Sequence, residues 1–261
     1  MTVAAAPVEG WPLPLWWAHR GAGKLAPENT LAAFRLGAQH GYRAFECDVK
    51  LSADGVPFLL HDSTLERTTA ASGTAGDLAW AELSQLDAGA WHSRALAGEP
   101  LPSLKAVAAY VQHNGFALNV EIKPTPGLER QTGAAVASAC AALWPAAQPA
   151  LLLSSFRPEA LQAAREAAPG LKRALLIDTL WSGWFDVAQD LQCAAVVSNH
   201  RLMDAALMKQ LHGAGLRALC YTVNDAADAQ RLLALGIDGL ITDAVDRFAP
   251  TLPLPLVHSA R

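Results

Sequence analysis

Two histidines and three carboxylates stand at the ends of short apolar runs: His19 in Ala18-His19-Arg20-Gly21, Glu46 and Asp48 in Phe45-Glu46-Cys47-Asp48-Val49, His61 in Leu60-His61-Asp62, and Glu121 in Val120-Glu121-Ile122-Lys123. Glu46 and Asp48 are two apart, as are Glu121 and Lys123, so on a strand both members of each pair face one side. Two inward carboxylates repel one another, and such a pair survives burial by holding a proton or a cation. The alternative is a pair of rim carboxylates, one salt-bridged to Arg20 or Lys123. Glu121 makes an oxygen-only nest of three, a donor set that selects Mg2+, Ca2+ or Mn2+ over zinc. Lys123 adds fixed positive charge that suits a phosphate oxygen, and a salt bridge to Glu121 or Glu46 is compatible with that role.

His19 and His61 are the acid and base candidates, because imidazole takes and returns a proton near neutral pH. A lone histidine after an apolar strand is more often structural or a ligand, but this pair shares its rim with three carboxylates, Lys123 and Arg20. Asp62, next to His61, is a candidate to orient an imidazole. Weaker signals surround these. Ser154-Ser155-Phe156 offers a hydroxyl and an aromatic ring at the mouth, without the flanking glycines of a serine nucleophile. Asn199 and His200 follow a strand and are candidates to touch substrate. Trp181 and Trp184 with Tyr221 would make an apolar wall, or simply pack the top of the fold. Gly21-Ala22-Gly23 is too short for a dinucleotide fingerprint.

Strand-like and helix-like segments alternate, the pattern of a parallel sheet with crossover helices. The strands are predicted at Leu15–His19, Ala44–Val49, Ala117–Ile122, Ala150–Ser154, Arg173–Ile177, Ala194–Ser198, Arg217–Thr222 and Gly239–Thr242. Helices are predicted at Asn29–His40, Leu104–Asn114, Glu129–Leu143, Pro158–Ala168, Asp204–Ala214 and Asp225–Leu235, with capping residues at their starts and glycines Gly41, Gly170, Gly215 and Gly236 at their ends. Eight such units in 261 residues match a single-domain α/β fold, the (β/α)8 TIM barrel, with a doubly wound open sheet as the competing architecture. The barrel requires polar residues at the carboxyl ends of strands, where His19, Glu46, Asp48, Glu121, Lys123, Asn199 and Asp243 fall. Ser52-Ala53-Asp54-Gly55 is a turn leading into an extra strand, Val56–Leu60, that runs back and brings His61 over the mouth. The excursion from residue 63 to 102 is too long for an ordinary loop and reads as an insertion at the catalytic face after the second strand. The tail from Pro250 to Arg261, with three prolines, reads as surface-draped.

Composition excludes several classes. The net charge of −4 and scattered basic residues give no field for nucleic acid. Cys47, Cys140, Cys193 and Cys220 are far apart in apolar stretches and read as reduced thiols, consistent with a cytoplasmic protein. Residues 1–15 carry no Lys or Arg and are broken by prolines, unlike a signal peptide, and no apolar run reaches membrane-spanning length.

The ordered set of motifs resembles the glycerophosphodiester phosphodiesterase family. It comprises Ala18-His19-Arg20-Gly21, Pro27-Glu28-Asn29-Thr30, Glu46-x-Asp48-Val49, Asp54-Gly55 leading to His61-Asp62, Leu65-x-Arg67-Thr68, Val120-Glu121-Ile122-Lys123, Tyr221-Thr222-Val223-Asn224 and Gly239-x-Ile241-Thr242-Asp243. The resemblance implies a barrel with an insertion after its second strand. It implies metal ligation of one Mg2+ or Ca2+ by Glu46, Asp48 and Glu121, acid/base catalysis by His19 and His61, and phosphate contacts from Arg20 and Lys123. Asn29, Phe156, Asn199 and Tyr221 are the expected remaining substrate contacts; Tyr221 stands where the family often has Trp. The expected reaction releases sn-glycerol 3-phosphate and an alcohol from a small-molecule glycerophosphodiester. The competing readings are a lysophospholipase D or cyclising phospholipase on the same barrel, and a phosphodiester-binding module without turnover.

Overall fold

The computed structural model describes residues 13–144, 151–248 and 250. Eight parallel strands form its centre: β1 (Trp16–Ala18), β2 (Ala44–Leu51), β4 (Ala117–Ile122), β5 (Leu151–Ser155), β6 (Lys172–Ile177), β7 (Ala195–Asn199), β8 (Arg217–Tyr221) and β9 (Gly239–Thr242). They run as near-continuous apolar stretches because both faces of the sheet are covered. The short β3 (Pro57–Leu59) folds back antiparallel on β2, pairing Val49 with Leu59, as the Asp54-Gly55 turn predicts. The sheet closes where Ala18 of β1 registers with Thr242 of β9 on one side and Phe45 of β2 on the other. This closure makes the fold a TIM barrel and removes the open-sheet alternative.

The helices are α1 (Leu31–Gln39), α2 (Trp80–Leu83), α3 (Leu104–His113), α4 (Glu129–Leu143), α5 (Pro158–Ala167), α6 (Trp184–Asp190), α7 (Ala205–Gly213) and α8 (Ala226–Ala234). Their starts follow from side-chain capping. Thr30, Ser103, Asp204 and Asp225 each accept a backbone N–H from the first turn of α1, α3, α7 and α8. Helix α6 is absent from the sequence expectations because it is short and starts at Gly183, which has no side chain to cap it. It carries Trp184 into the core against Phe185.

The apolar residues divide by face. Outward-facing strand residues such as Phe45, Cys47, Val120 and Leu153 pack beneath the helices, whereas Trp17, Ala44, Leu152, Val197 and Leu219 fill the barrel interior. The insertion has a third core of its own, in which Leu65, Ala75, Leu83, Ala88 and Leu101 pack with Phe58 and Leu60. It is tied to the barrel by Glu99 Oε1, which accepts from Ala32 N at 2.9 Å, and by His92 Nε2, 3.1 Å from the carbonyl of Lys24. The four cysteines are buried and unpaired. Among the described residues no helix is long and apolar enough to cross a membrane. The first twelve residues and the tail beyond Pro250, read above as signal-free and surface-draped, lie outside the described residues.

Candidate active site

The chain turns sharply as it leaves β1, and the turn sets the site. Gly21 has φ +97°, and a Cβ there would fall 2.7 Å from that of Ala33, so only glycine lets α1 pack this close. Arg20 and Asn29, with φ of 50° and 60°, occupy the left-handed region without glycine's freedom. Such strain persists where surrounding bonds over-determine the backbone, and both residues are held by the carboxylates of β2. Arg20 N donates to Glu46 Oε2 at 3.1 Å, and its Nε lies 3.1 Å from Asp48 Oδ2. Asn29 Nδ2 donates to Asp48 Oδ2 at 2.9 Å, while Asp48 N donates back to Asn29 Oδ1 at 3.1 Å. Asn29 thus stands behind Asp48 as its clamp.

Glu46, Asp48 and Glu121 are buried, and one oxygen from each lies within 4.8 Å of the others. Their environments differ. Burial raises Asp48, but Arg20, Lys123, His61 and the Asn29 amide outweigh it and hold the carboxyl well below the usual range. Burial and the charges of Asp48 and Glu121 push Glu46 well above that range, against the opposing pull of Arg20. Glu121 is pushed up to about 7 by burial and Asp48, although Lys123 Nζ sits 2.8 Å from its Oε1. Glu46 Oε1 and Asp48 Oδ1 accept no hydrogen bond. Orphaned buried carboxylate oxygens with such conflicting proton demands suit a hard divalent cation, so the donor set fits Mg2+ or Ca2+.

The histidines flank this nest in matching arrangements. His19 Nδ1 lies 2.6 Å from Asp243 Oδ1, and Asp243 Oδ2 accepts from Asn224 Nδ2 at 2.9 Å. His61 Nδ1 lies 2.6 Å from Asp62 Oδ1, and Asp62 Oδ2 accepts from Arg67 Nε. In each, the carboxylate engages Nδ1 and leaves Nε2 available. Burial pushes His61 below its ordinary value, with Arg20 and Lys123 adding to the effect and Asp48 opposing it.

Both histidines line a cavity of about 210 Å3 together with Arg20, Glu46, Glu121 and Lys123. Phe156 and Tyr221 form one wall, with ring centroids 5.8 Å apart, and Lys123 Nζ lies 5.6 Å from the Phe156 ring centre. Tyr221 donates its hydroxyl to the carbonyl of Ile177 at 3.2 Å. Asn199 instead accepts from Arg201 N at 3.0 Å, and His200 Nδ1 faces Asp228 Oδ2 at 3.4 Å, so neither enters the cavity. Trp181 is exposed and Trp184 buried in the core, so the cavity's apolar wall comes from Phe156, Tyr221, Leu176 and Ile241.

Asp243 stands in sequence at a strand end with no assigned role, yet the pairing of β9 with β1 that closes any such barrel puts it beside His19. Asn119, two residues before Glu121, carries no charge to draw notice in the sequence and faces the same interior.

Residues 19–247 match the model of the glycerophosphoryl diester phosphodiesterase family. The chain belongs to this family. A glycerophosphodiester phosphodiesterase of Caldanaerobacter subterraneus is 30% identical over 230 residues, covering 87% of this chain and 92% of that protein. Among solved structures, a phosphodiesterase of Oleispira antarctica in complex with the product sn-glycerol-3-phosphate is similar, with a TM-score of 0.84 and 37% identity over 88% of this chain and 93% of that one. A glycerophosphodiester phosphodiesterase of Agrobacterium tumefaciens gives a TM-score of 0.76 at 26% identity, covering 92% and 100%. The family match begins at His19 and ends just beyond Asp243, so it spans both members of the first histidine–carboxylate pair.

Proposed function

We propose that this chain hydrolyses glycerophosphodiesters to sn-glycerol 3-phosphate and a free alcohol, using His19 and His61 as the acid/base pair. The observation that carries the reading is their convergence, each oriented by its own carboxylate, on one cavity that also holds Glu46, Glu121, Arg20 and Lys123. Glu46, Asp48 and Glu121 would hold one Mg2+ or Ca2+, which when bound supplies Lewis-acid polarisation of a phosphate oxygen. Arg20 and Lys123 place positive charge where charge grows on the phosphoryl oxygens in the transition state. One imidazole takes a proton from the nucleophile, either water or the neighbouring glycerol hydroxyl, and the other returns one to the departing alkoxide. Asp243 and Asp62 stabilise the imidazolium form, which the base step creates and the acid step consumes.

A complete acid/base and carboxylate set distinguishes this reading from a binding module. A lysophospholipase reading has one observation in its favour. The exposed large hydrophobic residues among the described ones, Leu25, Trp91, Leu128, Leu180 and Trp181, all lie on segments that follow carboxyl ends of strands, on the side of the mouth. Release of sn-glycerol 3-phosphate from glycerophosphocholine and glycerophosphoethanolamine, measured beside choline release from a lysophosphatidylcholine, tests both. Preference for the acylated substrate would favour the second reading.

A further inference from the structure

Asn119 lies on β4 with its side chain 1% exposed, and neither its Nδ2 nor its Oδ1 has a hydrogen-bond partner. Buried amides are almost always paired, and one left without donor or acceptor partners calls for an explanation. Asn119 lines the cavity of the two histidines and registers with Glu46 on the neighbouring strand. It therefore stands level with Glu46, one inward position deeper in the barrel than Asp48 and Glu121.

The chemistry of the missing partner follows from the amide. It must accept from Nδ2 and donate to Oδ1, which a hydroxyl does and a phosphate dianion or a cation does not. Leu176 and Ile241 line the same cavity and suit the carbon skeleton that carries an alcohol. The space also exceeds that of a single water, at about 210 Å3 against roughly 30 Å3 per molecule in the liquid.

We infer that Asn119 binds a hydroxyl group of the substrate's glycerol unit and makes the enzyme selective for polyol phosphodiesters over those lacking hydroxyls. The inference rests on the phosphodiesterase reading above and adds the residue that reads the alcohol. Discrimination arises because a ligand without the hydroxyl buries the amide with no partner.

The test is binding, by calorimetry, of sn-glycerol 3-phosphate and n-propyl phosphate to the wild type, Asn119→Leu and Asn119→Ser. The wild type is expected to bind glycerol 3-phosphate at least about tenfold more tightly than propyl phosphate, as one hydrogen-bonded hydroxyl is worth. Asn119→Leu should abolish that preference, weakening glycerol 3-phosphate and binding propyl phosphate no more weakly than the wild type does. Asn119→Ser, which restores a smaller hydroxyl partner and covers the case in which the leucine variant does not fold, should recover part of it. Equal affinity of the wild type for the two ligands would overturn the inference. So would an equal loss for both in the folded variants, because Asn119 would then be supporting the carboxylates. Hydrolysis by the wild type is measured separately. Turnover with no Asn119-dependent discrimination refutes this inference alone, and discrimination without turnover refutes the phosphodiesterase reading alone.

Discussion

Arg67 closes on Glu28 through both of its terminal nitrogens, with Nη1 2.8 Å from Oε2 and Nη2 2.7 Å from Oε1. The same Glu28 Oε1 accepts from Arg20 Nη1 at 3.0 Å, and Arg67 Nε reaches Asp62. One continuous chain of charge therefore links the insertion, through Asp62, to His61 and, through Glu28, to the arginine at the carboxylate nest. Lysine cannot reproduce the planar fork that spans both partners. Arg67→Lys should lower kcat by about 10-fold, in the range of lost orienting partners, while KM changes little. Steady-state kinetics check this, and a change confined to KM would place Arg67 in substrate binding instead.

Asp243 orients His19 and accepts from the neutral Asn224 amide. Asp243→Asn keeps the shape but removes the charge that favours imidazolium, and should cost about 10- to 100-fold in kcat. His19→Ala should cost about 10^2- to 10^4-fold. In the double variant the two losses should be far from additive, because the residues act as a unit. Additive losses would separate their roles.

Gly23 has φ +57°, and a Cβ added there would fall 2.1 Å from the carbonyl oxygen of Asp243. Gly23→Ala must shift the backbone that carries the His19 partner. It is expected to destabilise the fold by about 2–4 kcal/mol and to impair turnover with it. Urea unfolding and kcat on the same preparation measure both. A loss of stability with turnover intact would show that the Asp243 backbone yields without disturbing the site.

Acid sensitivity follows from Asp62 and Asp243. The hydrogen bond from Arg67 brings Asp62 down to about 2. Burial raises Asp243, but His19 and Asn224 outweigh it and bring that carboxyl to about 2 as well. In the unfolded chain each titrates near its ordinary value of about 3.9, so between those values the unfolded state binds more protons. The stability from these pairs is fully present above about pH 4 and disappears as pH falls through about 2. Urea midpoints across this window should fall less steeply in Asp62→Asn/Asp243→Asn than in the wild type, and identical slopes would contradict the assignment.

The residues that carry charge were legible because strand periodicity places them. The i, i+2 spacing of Glu46 and Asp48, repeated at Glu121 and Lys123, puts both pairs inside once the strands are recognised. What escaped the sequence depends on contacts between elements. Asn29 reads as a helix start and an expected substrate contact, and only the fold shows both ends of its amide on Asp48, outside the cavity lining. Trp181 and Trp184 look alike in sequence, yet the turn at Gly183 leaves one exposed and commits the other to the core. The insertion, rich in small residues, gives little periodic signal, and its core around Leu65, Leu83 and Leu101 emerges only when the segment coils over Phe58 and Leu60.

The central claim is phosphodiester hydrolysis at the carboxylate nest between His19 and His61. Its most direct test is sn-glycerol 3-phosphate release from glycerophosphoethanolamine with Mg2+ or Ca2+, repeated after EDTA treatment and with His61→Ala. The account predicts release by the untreated enzyme, its loss with EDTA and recovery on adding the metal back, and a fall of about 10^2-fold or more in the variant. Undiminished release with EDTA or in His61→Ala would contradict it.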